Sequence, residues 1–224
     1  MIKAVVFDVF ETLVTLCGKG RYLSEDMAKD AGVPTRQFQE DWWQSEYDRS
    51  TGKLTTKEGI AITLKHFNIY SEELLEKINT KRVESKRDVF DADQMHPGIL
   101  PMLKALKEKG LKIALISNCY SEEARAIRSS EIFPYIDVPI LSYEQYVCKP
   151  EPEIFEKCLQ ELGLSPQECL YVGDGGSNEL SAAKEVGMQQ VQAAWYLLDD
   201  KRQPCGRLQE FEQADDPMDI VKRV

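Results

Sequence analysis

The stretch Ile2-Lys3-Ala4-Val5-Val6-Phe7-Asp8 decides the fold, because it is a mostly apolar run that ends in an acid. A run of this kind is typical of a strand buried in a parallel sheet. An acid directly after such a strand lies at the carboxyl edge of the sheet, where open α/β folds bind their ligands. Asp8 is therefore a candidate nucleophile, although an Asp in this position also serves to cap a turn.

Two further polar segments follow in the middle of the chain. The apolar run Lys112–Ile116 ends in Ser117 and Asn118, and Lys149 lies further on, directly before a proline. Each has an ordinary structural interpretation: Ser117 and Asn118 suit the N-cap of a helix that starts near Ser121, and Lys149 suits the protein surface. Their order along the chain, rather than any one of them, makes them candidate site residues.

A third apolar run, Leu170–Val172, ends in Gly173 and Asp174, and Glu179 follows at the start of a predicted helix. The glycines of this segment would also suit a turn without a ligand. Together with the earlier positions, the chain supplies a carboxylate, a hydroxyl, a lysine and a carboxylate in that order. Each of the four lies at a strand end or a loop start, so we expect them at one edge of the sheet.

This ordered set resembles the haloacid dehalogenase-like hydrolases, whose motifs are Asp-x-x-x-Thr, a Ser or Thr, a Lys, and Gly-Asp followed by a second acid. The resemblance covers Met1 to about Ala194, and four motifs in order are far more specific than any one. It implies that Asp8 attacks the substrate and forms a covalent aspartyl intermediate. The residues that it implies for substrate contact are Phe10, Thr12, Ser117, Asn118 and Lys149, of which Ser117 and Lys149 are also catalytic.

A metal site is expected at the same edge. Asp8 and Asp174 would supply oxygen ligands suited to Mg²⁺, which prefers one or two carboxylates with water and a carbonyl. The resemblance implies that the carbonyl is that of Phe10 and that Glu179 reaches the ion or its waters. We therefore expect Mg²⁺ as the cofactor.

The pattern along the chain predicts an α/β fold, namely a Rossmann-like doubly wound parallel sheet with an inserted all-helical cap domain. Residues 1–17 and 94–224 form the predicted core and residues 18–93 the cap, which the resemblance implies is mobile. The segment 203–216 is polar and poorly periodic. Predicted cap helices are 23–30, 35–49, 56–66 and 71–84; predicted later strands are 112–117, 138–142, 169–172 and 190–194; predicted later helices start near 97 and span 121–129, 151–162 and 177–186.

Composition narrows the class of protein. A net charge of −10 over 224 residues, without basic patches, argues against a nucleic-acid partner. No apolar run approaches the roughly 20 residues of a membrane span, and the chain starts directly with a strand, so we expect neither a membrane nor a signal peptide. Six cysteines without C-x-x-C spacing and only two histidines argue against zinc or a disulfide framework. We expect a cytoplasmic protein, and the sequence gives no indication of its oligomeric state.

Position 10 departs from the resemblance. Phosphatases of the superfamily carry a second Asp there, which protonates the leaving group, whereas this chain has Phe10. If the segment stays extended, Glu11 points to the other face and is a poor substitute. Dehalogenases also lack this acid, since a halide leaves without a proton, but they lack the acid equivalent to Asp174 and use a cap arginine. Arg36 and Arg49 flank the comparable stretch, where they suit solvated helix charges.

The preferred function is a Mg²⁺-dependent phosphatase or phosphotransferase that acts on a small phosphorylated metabolite through an aspartyl-phosphate intermediate. Two alternatives stay open. One is a metal-independent 2-haloacid dehalogenase that uses Asp8 as nucleophile. The other is a non-catalytic phosphate- or protein-binding module that kept the cleft and lost turnover through Phe10.

Overall fold

A six-stranded parallel sheet forms the centre of the computed structural model, which describes residues 1–16, 21–91, 95–197 and 205–224. Its spatial order is β3-β2-β1-β4-β5-β6, so the chain runs outward from β1 in one direction and then returns to the other side of β1. Ligands of such sheets bind at this reversal, beyond the carboxyl ends of β1 and β4. The strands are β1 (Ala4–Phe7), β2 (Lys112–Ser117), β3 (Val138–Leu141), β4 (Cys169–Gly173), β5 (Gln189–Ala193) and β6 (Gln213–Ala214).

Helices cover both faces of the sheet, which confirms the predicted doubly wound α/β fold. Val5 and Phe7 of β1 pack into one apolar cluster, and Ala4 and Val6 pack into a second cluster on the opposite face. This alternation follows from the two-residue period of a strand. The strand is buried on both sides, as its continuous apolar run predicts.

The first five of the six helices that the structure describes between β1 and β2 lie where the cap is predicted. They enclose an apolar cluster of their own, around Met27, Phe38, Ile60 and Ile78. The predicted cap boundaries at 17/18 and 93/94 lie outside the described residues. The five helices, which we call the inserted helices, are α1 (Ser24–Ala31), α2 (Thr35–Gln44), α3 (Glu46–Ser50), α4 (Thr56–His66) and α5 (Glu72–Asp88).

The prediction of one helix over 35–49 is wrong, because the chain breaks at Ser45 between α2 and α3. Ser45 has φ −94° and ψ 8°, and its hydroxyl donates to the Trp42 carbonyl at 3.2 Å. A serine side chain that bonds the backbone competes with the helical hydrogen-bond ladder. The prediction for α4 matches its bounds, and its start is fixed by a capping box between Thr55 and Glu58.

The core helices are α6 (Ile99–Glu108), α7 (Ser121–Ser129), α8 (Ser142–Gln145), α9 (Pro152–Leu162), α10 (Glu179–Glu185) and α11 (Met218–Arg223). Within the polar, poorly periodic segment 203–216, β6 adds a two-residue strand that the sequence pattern does not predict. Ala194 donates its N–H to the Ala214 carbonyl at 2.8 Å. Two residues are too short to show a strand period. Among the described residues, no helix is long and apolar enough to cross a membrane.

The inserted helices join the core through buried polar contacts. The Ser142 hydroxyl, at the start of α8, donates to the Ser50 carbonyl at 2.7 Å and accepts the Cys119 N–H at 3.0 Å. Gly52 lies beside this junction with φ +75°, and a Cβ there would overlap the Tyr143 carbonyl oxygen. The turn after α3 therefore has room for glycine only.

We expect Gly52→Ala to destabilise the fold more than Gly32→Ala. Both glycines have positive φ, which costs an alanine about 1–2 kcal/mol, but a Cβ at Gly32 meets nothing within 4 Å. The overlap with Tyr143 should add about 1–3 kcal/mol to the loss at Gly52. Urea unfolding of the two variants measures the difference in the free energy of unfolding. Equal losses of stability would show that the backbone around Tyr143 shifts without cost to accommodate the added Cβ.

Candidate active site

The predicted site residues converge at the carboxyl edge of the sheet, at the reversal between β1 and β4. Asp8 follows β1, Asp174 follows β4, and Lys149 lies in the loop before α9. The Lys149 ammonium donates to Oδ1 of Asp8 at 2.5 Å, across 141 positions of sequence. All three side chains are buried. The structure thus brings together residues that the sequence keeps far apart.

Lys149 is held in place from several sides. Its ammonium also bonds the Glu179 carboxylate and lies 3.4 Å from the Tyr171 hydroxyl, which itself donates to Glu179 at 2.9 Å. Asn118 accepts the Lys149 backbone N–H at 2.7 Å and donates to the Lys149 carbonyl at 2.9 Å. Burial opposes the charge of Lys149, but Asp8 and Glu179 outweigh it and raise the lysine pKa. The lysine is therefore a fixed positive charge beside Asp8.

Three carboxylates crowd this position. Asp8, Asp174 and Glu179 each offer an oxygen within 4.8 Å of the others, and all three are buried. Burial, and next the charge of Asp8, raise the pKa of Asp174 to about 7 and that of Glu179 to about 8. Oδ2 of Asp174 is buried and has no hydrogen-bond partner among the described residues. An unpartnered carboxylate oxygen in a cluster of acids fits a hard cation, which binds through oxygen ligands.

Gly173 explains how Glu179 reaches this cluster. A Cβ at Gly173 would overlap the Glu179 carboxylate. The absence of a side chain thus lets α10 direct Glu179 inward against Lys149. Gly173, directly before Asp174, therefore makes room for the Glu179 carboxylate. The sequence suggests only that the glycines of this segment suit a turn.

Ser117 and Thr12 are both fully buried. The Ser117 hydroxyl donates to the Asn118 carbonyl at 3.4 Å. Helix α7 begins at Ser121 with Tyr120 as its N-cap residue, so the alternative in which Ser117 and Asn118 cap this helix is wrong. Thr12 Oγ1 has no partner among the described residues, while the Thr12 carbonyl accepts the Trp195 indole N–H at 2.8 Å.

The loop after Asp8 is a turn, which corrects the expectation based on an extended segment. Glu11 has φ 56°, and its carboxylate accepts the Thr15 hydroxyl at 2.8 Å and the Leu16 N–H at 2.6 Å. Phe10 packs edge-on against Phe90, with ring centroids 6.4 Å apart. Glu11 lines the same cavity as Asp8 and Phe10, but two donors of its own loop already hold its carboxylate.

Two adjoining cavities open onto these residues. The inner cavity, of about 310 Å³, is lined by Asp8, Lys149, Asp174 and Glu179. The outer cavity, of about 1020 Å³, extends toward the inserted helices. Residues that line both cavities are Phe10, Leu16, Leu23, Asn118, Lys149 and Ser177.

A buried ionic cluster, formed by Arg82, Lys86, Glu122 and Glu123, lies beside the outer cavity and was not predicted. Arg82 donates to Glu122 at 3.0 Å, and the Lys86 ammonium contacts Glu123 at 2.7 Å. Burial lowers the pKa of Lys86 against the attraction of Glu123. The cluster joins α5 to α7, and the predicted α5 ends at residue 84, before Lys86. Only the packing of α5 onto the core shows that these charges are buried.

Arg49 corrects a second expectation. Its side chain is fully buried rather than solvated, and its guanidinium lies 3.4 Å from the centre of the Trp42 ring and 4.6 Å from that of Tyr120. Arg36 is exposed and pairs with Glu40, as expected. Trp42 belongs to the core of the inserted helices. Trp43, by contrast, lines the outer cavity with 54% of its surface exposed.

A parallel doubly wound sheet with an aspartate, a lysine and two further acids at its carboxyl edge defines a class of hydrolases. The family model for haloacid dehalogenase-like hydrolases matches residues 2–187. The chain belongs to this family, as its motifs predict, and it is a hydrolase.

Curated relatives include several named phosphatases. The glyceraldehyde 3-phosphate phosphatase of Methanopyrus kandleri is 27% identical over 201 residues, which cover 85% of this chain and 83% of the relative. The putative pyrophosphatase PpaX of Clostridium perfringens is 30% identical over 189 residues, which cover 84% of this chain and 81% of the relative. The Rhythmically expressed gene 2 protein of Drosophila melanogaster is 37% identical over 87 residues, which span 38% of this chain and only 34% of that relative.

Solved structures share the fold. A 2-haloacid dehalogenase from Pseudomonas syringae pv. Tomato superposes with a TM-score of 0.71 at 19% identity, covering 99% of this chain and 97% of the other. A HAD family enzyme from Bacteroides thetaiotaomicron, in complex with magnesium and inorganic phosphate, superposes with a TM-score of 0.67 at 21% identity. The superposition covers 86% of this chain and 94% of the other. At these identities the likeness concerns the fold, which is common to dehalogenases and to enzymes that bind phosphate.

Proposed function

We propose that this hydrolase is a Mg²⁺-dependent phosphatase or phosphotransferase that acts on a small phosphorylated substrate. The observation that carries the proposal is the buried carboxylate cluster of Asp8, Asp174 and Glu179, with an unpartnered oxygen on Asp174. A metal-independent dehalogenase has no use for two extra buried acids beside its nucleophile, since they repel an incoming carboxylate. Relatives named as phosphatases support the same choice.

Asp8 is the proposed nucleophile. One of its oxygens attacks phosphorus, the bond to the leaving oxygen breaks, and the electron pair stays on that oxygen. Water then attacks the aspartyl phosphate, which releases inorganic phosphate, restores the carboxylate and yields one proton. Lys149 offsets negative charge between Asp8 and the phosphoryl oxygens, and Ser117 with nearby backbone N–H groups holds those oxygens.

The proposed metal ligands are Asp8, the Phe10 carbonyl and Asp174, with Glu179 near the ion or its waters. Mg²⁺ bound there would offset the charge of the phosphoryl group and of the acids around it. Thr12, Asn118 and the Phe10 loop would contribute to substrate contact. We further propose that residues 18–93 act as a cap over the site and that the enzyme is cytoplasmic, which the cysteine pattern supports.

A hydrolysis screen of phosphate esters and 2-haloacids, each with Mg²⁺ and with chelator, tests the proposed function. We expect phosphate release that depends on Mg²⁺, and Asp8→Asn should lower it roughly 10⁴-fold or more because the nucleophile is lost. Asp48→Asn, on the surface of α3, is the matched control. Halide release that persists in chelator would support the dehalogenase, and no turnover of any compound would support a binding module.

Metal binding should depend on Asp174. Asp174→Ala removes a carboxylate that faces Asp8, so we expect Mg²⁺ affinity to fall at least about tenfold, in line with the loss of a ligand. Isothermal titration of wild type, Asp174→Ala and the surface variant Asp215→Ala measures the change. Equal affinity in all three proteins would place the ion elsewhere.

Phosphatase rates should depend steeply on the leaving group, because Phe10 cannot protonate it. We expect aryl and acyl phosphates to be cleaved far better than sugar phosphates, and Phe10→Asp to narrow the gap by up to the roughly 10²–10⁴-fold that general acids contribute. Phe10→Leu, which removes the ring without adding an acid, is the control. A flat dependence in wild type would show that another residue, with Glu11 first in line, already donates the proton.

A further inference from the structure

Lys86 is an unusual residue for the interior of this protein. Only 4% of its side chain is exposed, yet it lines the outer cavity, together with Phe10, Asn118 and Lys149. Its ammonium lies 5.7 Å from the centre of the Phe10 ring. A buried positive charge therefore faces the residue that replaces the expected proton donor.

The contacts of Lys86 leave part of its capacity unused. An ammonium has three N–H donors, and Lys86 forms one ion pair among the described residues, at 2.7 Å to Glu123. Glu123 is itself shared, because its other oxygen accepts the Tyr120 N–H at 3.0 Å and Arg82 lies 3.8 Å away. Within the described parts of the chain, the other two donors of Lys86 have no protein partner, and the residue lines the outer cavity.

A purely structural role explains this arrangement poorly. Burying an ion pair costs desolvation energy, and apolar residues of similar size often stabilise a protein equally well or better. The buried ionic cluster lies where α5 packs against α7, and apolar side chains could form this interface equally well. A role in joining α5 to α7 requires the ion pair between Lys86 and Glu123, but it does not require the ammonium to lie beside Phe10.

We propose that the Lys86 ammonium stabilises the negative charge on the leaving oxygen, so that the substrates are phosphates whose leaving group departs as an anion: acyl phosphates, aryl phosphates or diphosphates. The inference rests on the proposed phosphatase function. When the bond between phosphorus and the leaving oxygen breaks, the electron pair stays on that oxygen. An acid at position 10 would neutralise this charge with a proton, whereas Lys86 offsets it from beside Phe10. The proton released when water cleaves the aspartyl phosphate passes to solvent or to inorganic phosphate, so the departed group needs no proton from the enzyme.

The test measures kcat/KM for a series of aryl phosphates of rising leaving-group pKa, with acetyl phosphate and pyrophosphate added. We expect Lys86→Met to lower rates about 10²–10³-fold, the usual effect of removing one charge-stabilising donor, and to steepen the dependence on leaving-group pKa. Lys86→Arg keeps the charge and should retain the slope of wild type. Lys81→Met, on the same helix but in a surface pair with Asp30, should behave as wild type.

Because Lys86→Met leaves Glu123 with less counter-charge, the double variant Lys86→Met/Glu123→Gln is measured as well, with circular dichroism on each protein. A steeper slope in either folded variant supports the proposal, since a structural role would lower all rates without changing the slope. An unchanged slope in a folded variant that still releases phosphate would overturn the assignment of Lys86 and leave the phosphatase standing. Failure of wild type to cleave any phosphate would overturn both.

Discussion

The contact between the Lys149 ammonium and the carboxylates of Asp8 and Glu179 is the constraint on which the site depends. Two like charges 4 Å apart repel by about 4 kcal/mol at an effective dielectric constant of 20, and three carboxylates lie within 4.8 Å of one another here. Lys149 offsets one of them, so two formal charges remain when all three are ionised, which equals the charge of a divalent cation. Neighbouring features serve this balance: Asn118 fixes the lysine backbone, and the missing side chain of Gly173 admits Glu179.

Electrostatic contacts also join the inserted helices to the core. These helices have an apolar cluster of their own, separate from the two clusters beside the sheet. Their contacts with the core include ion pairs from Arg82 and Lys86 and the bond between Ser142 and Ser50. Polar interfaces of this kind allow relative movement more readily than apolar ones. Arg82 and Lys86 also line the outer cavity. A movement of the inserted helices that changes their ion pairs would therefore change the shape of this cavity.

The sequence predicts those parts of the fold and of the site that depend on local patterns of apolar and polar residues. Apolar runs that end in Asp8, Ser117 and Asp174 predict strands and their polar ends, and their order predicts the family. Burial of charge in the inserted helices has no such pattern, because α5 is largely polar and its burial depends on which core helix it meets. The burial of Arg49 and Lys86 could therefore not be predicted from the sequence. The roles of the catalytic and metal residues remain predictions.

The absence of an acid at position 10 need not end turnover, because a leaving oxygen can be stabilised by charge as well as by a proton. A general acid contributes about 10²–10⁴ in rate, or roughly 3–5 kcal/mol. A cation about 4 Å from a developing anion contributes a similar energy, about 4 kcal/mol, at an effective dielectric constant of 20. The two devices differ in which substrates they serve, since an alkoxide needs a proton, whereas a carboxylate, phenolate or phosphate leaves as an anion. The pairing of Phe10 with a buried lysine therefore favours the second kind of leaving group over a sugar alkoxide.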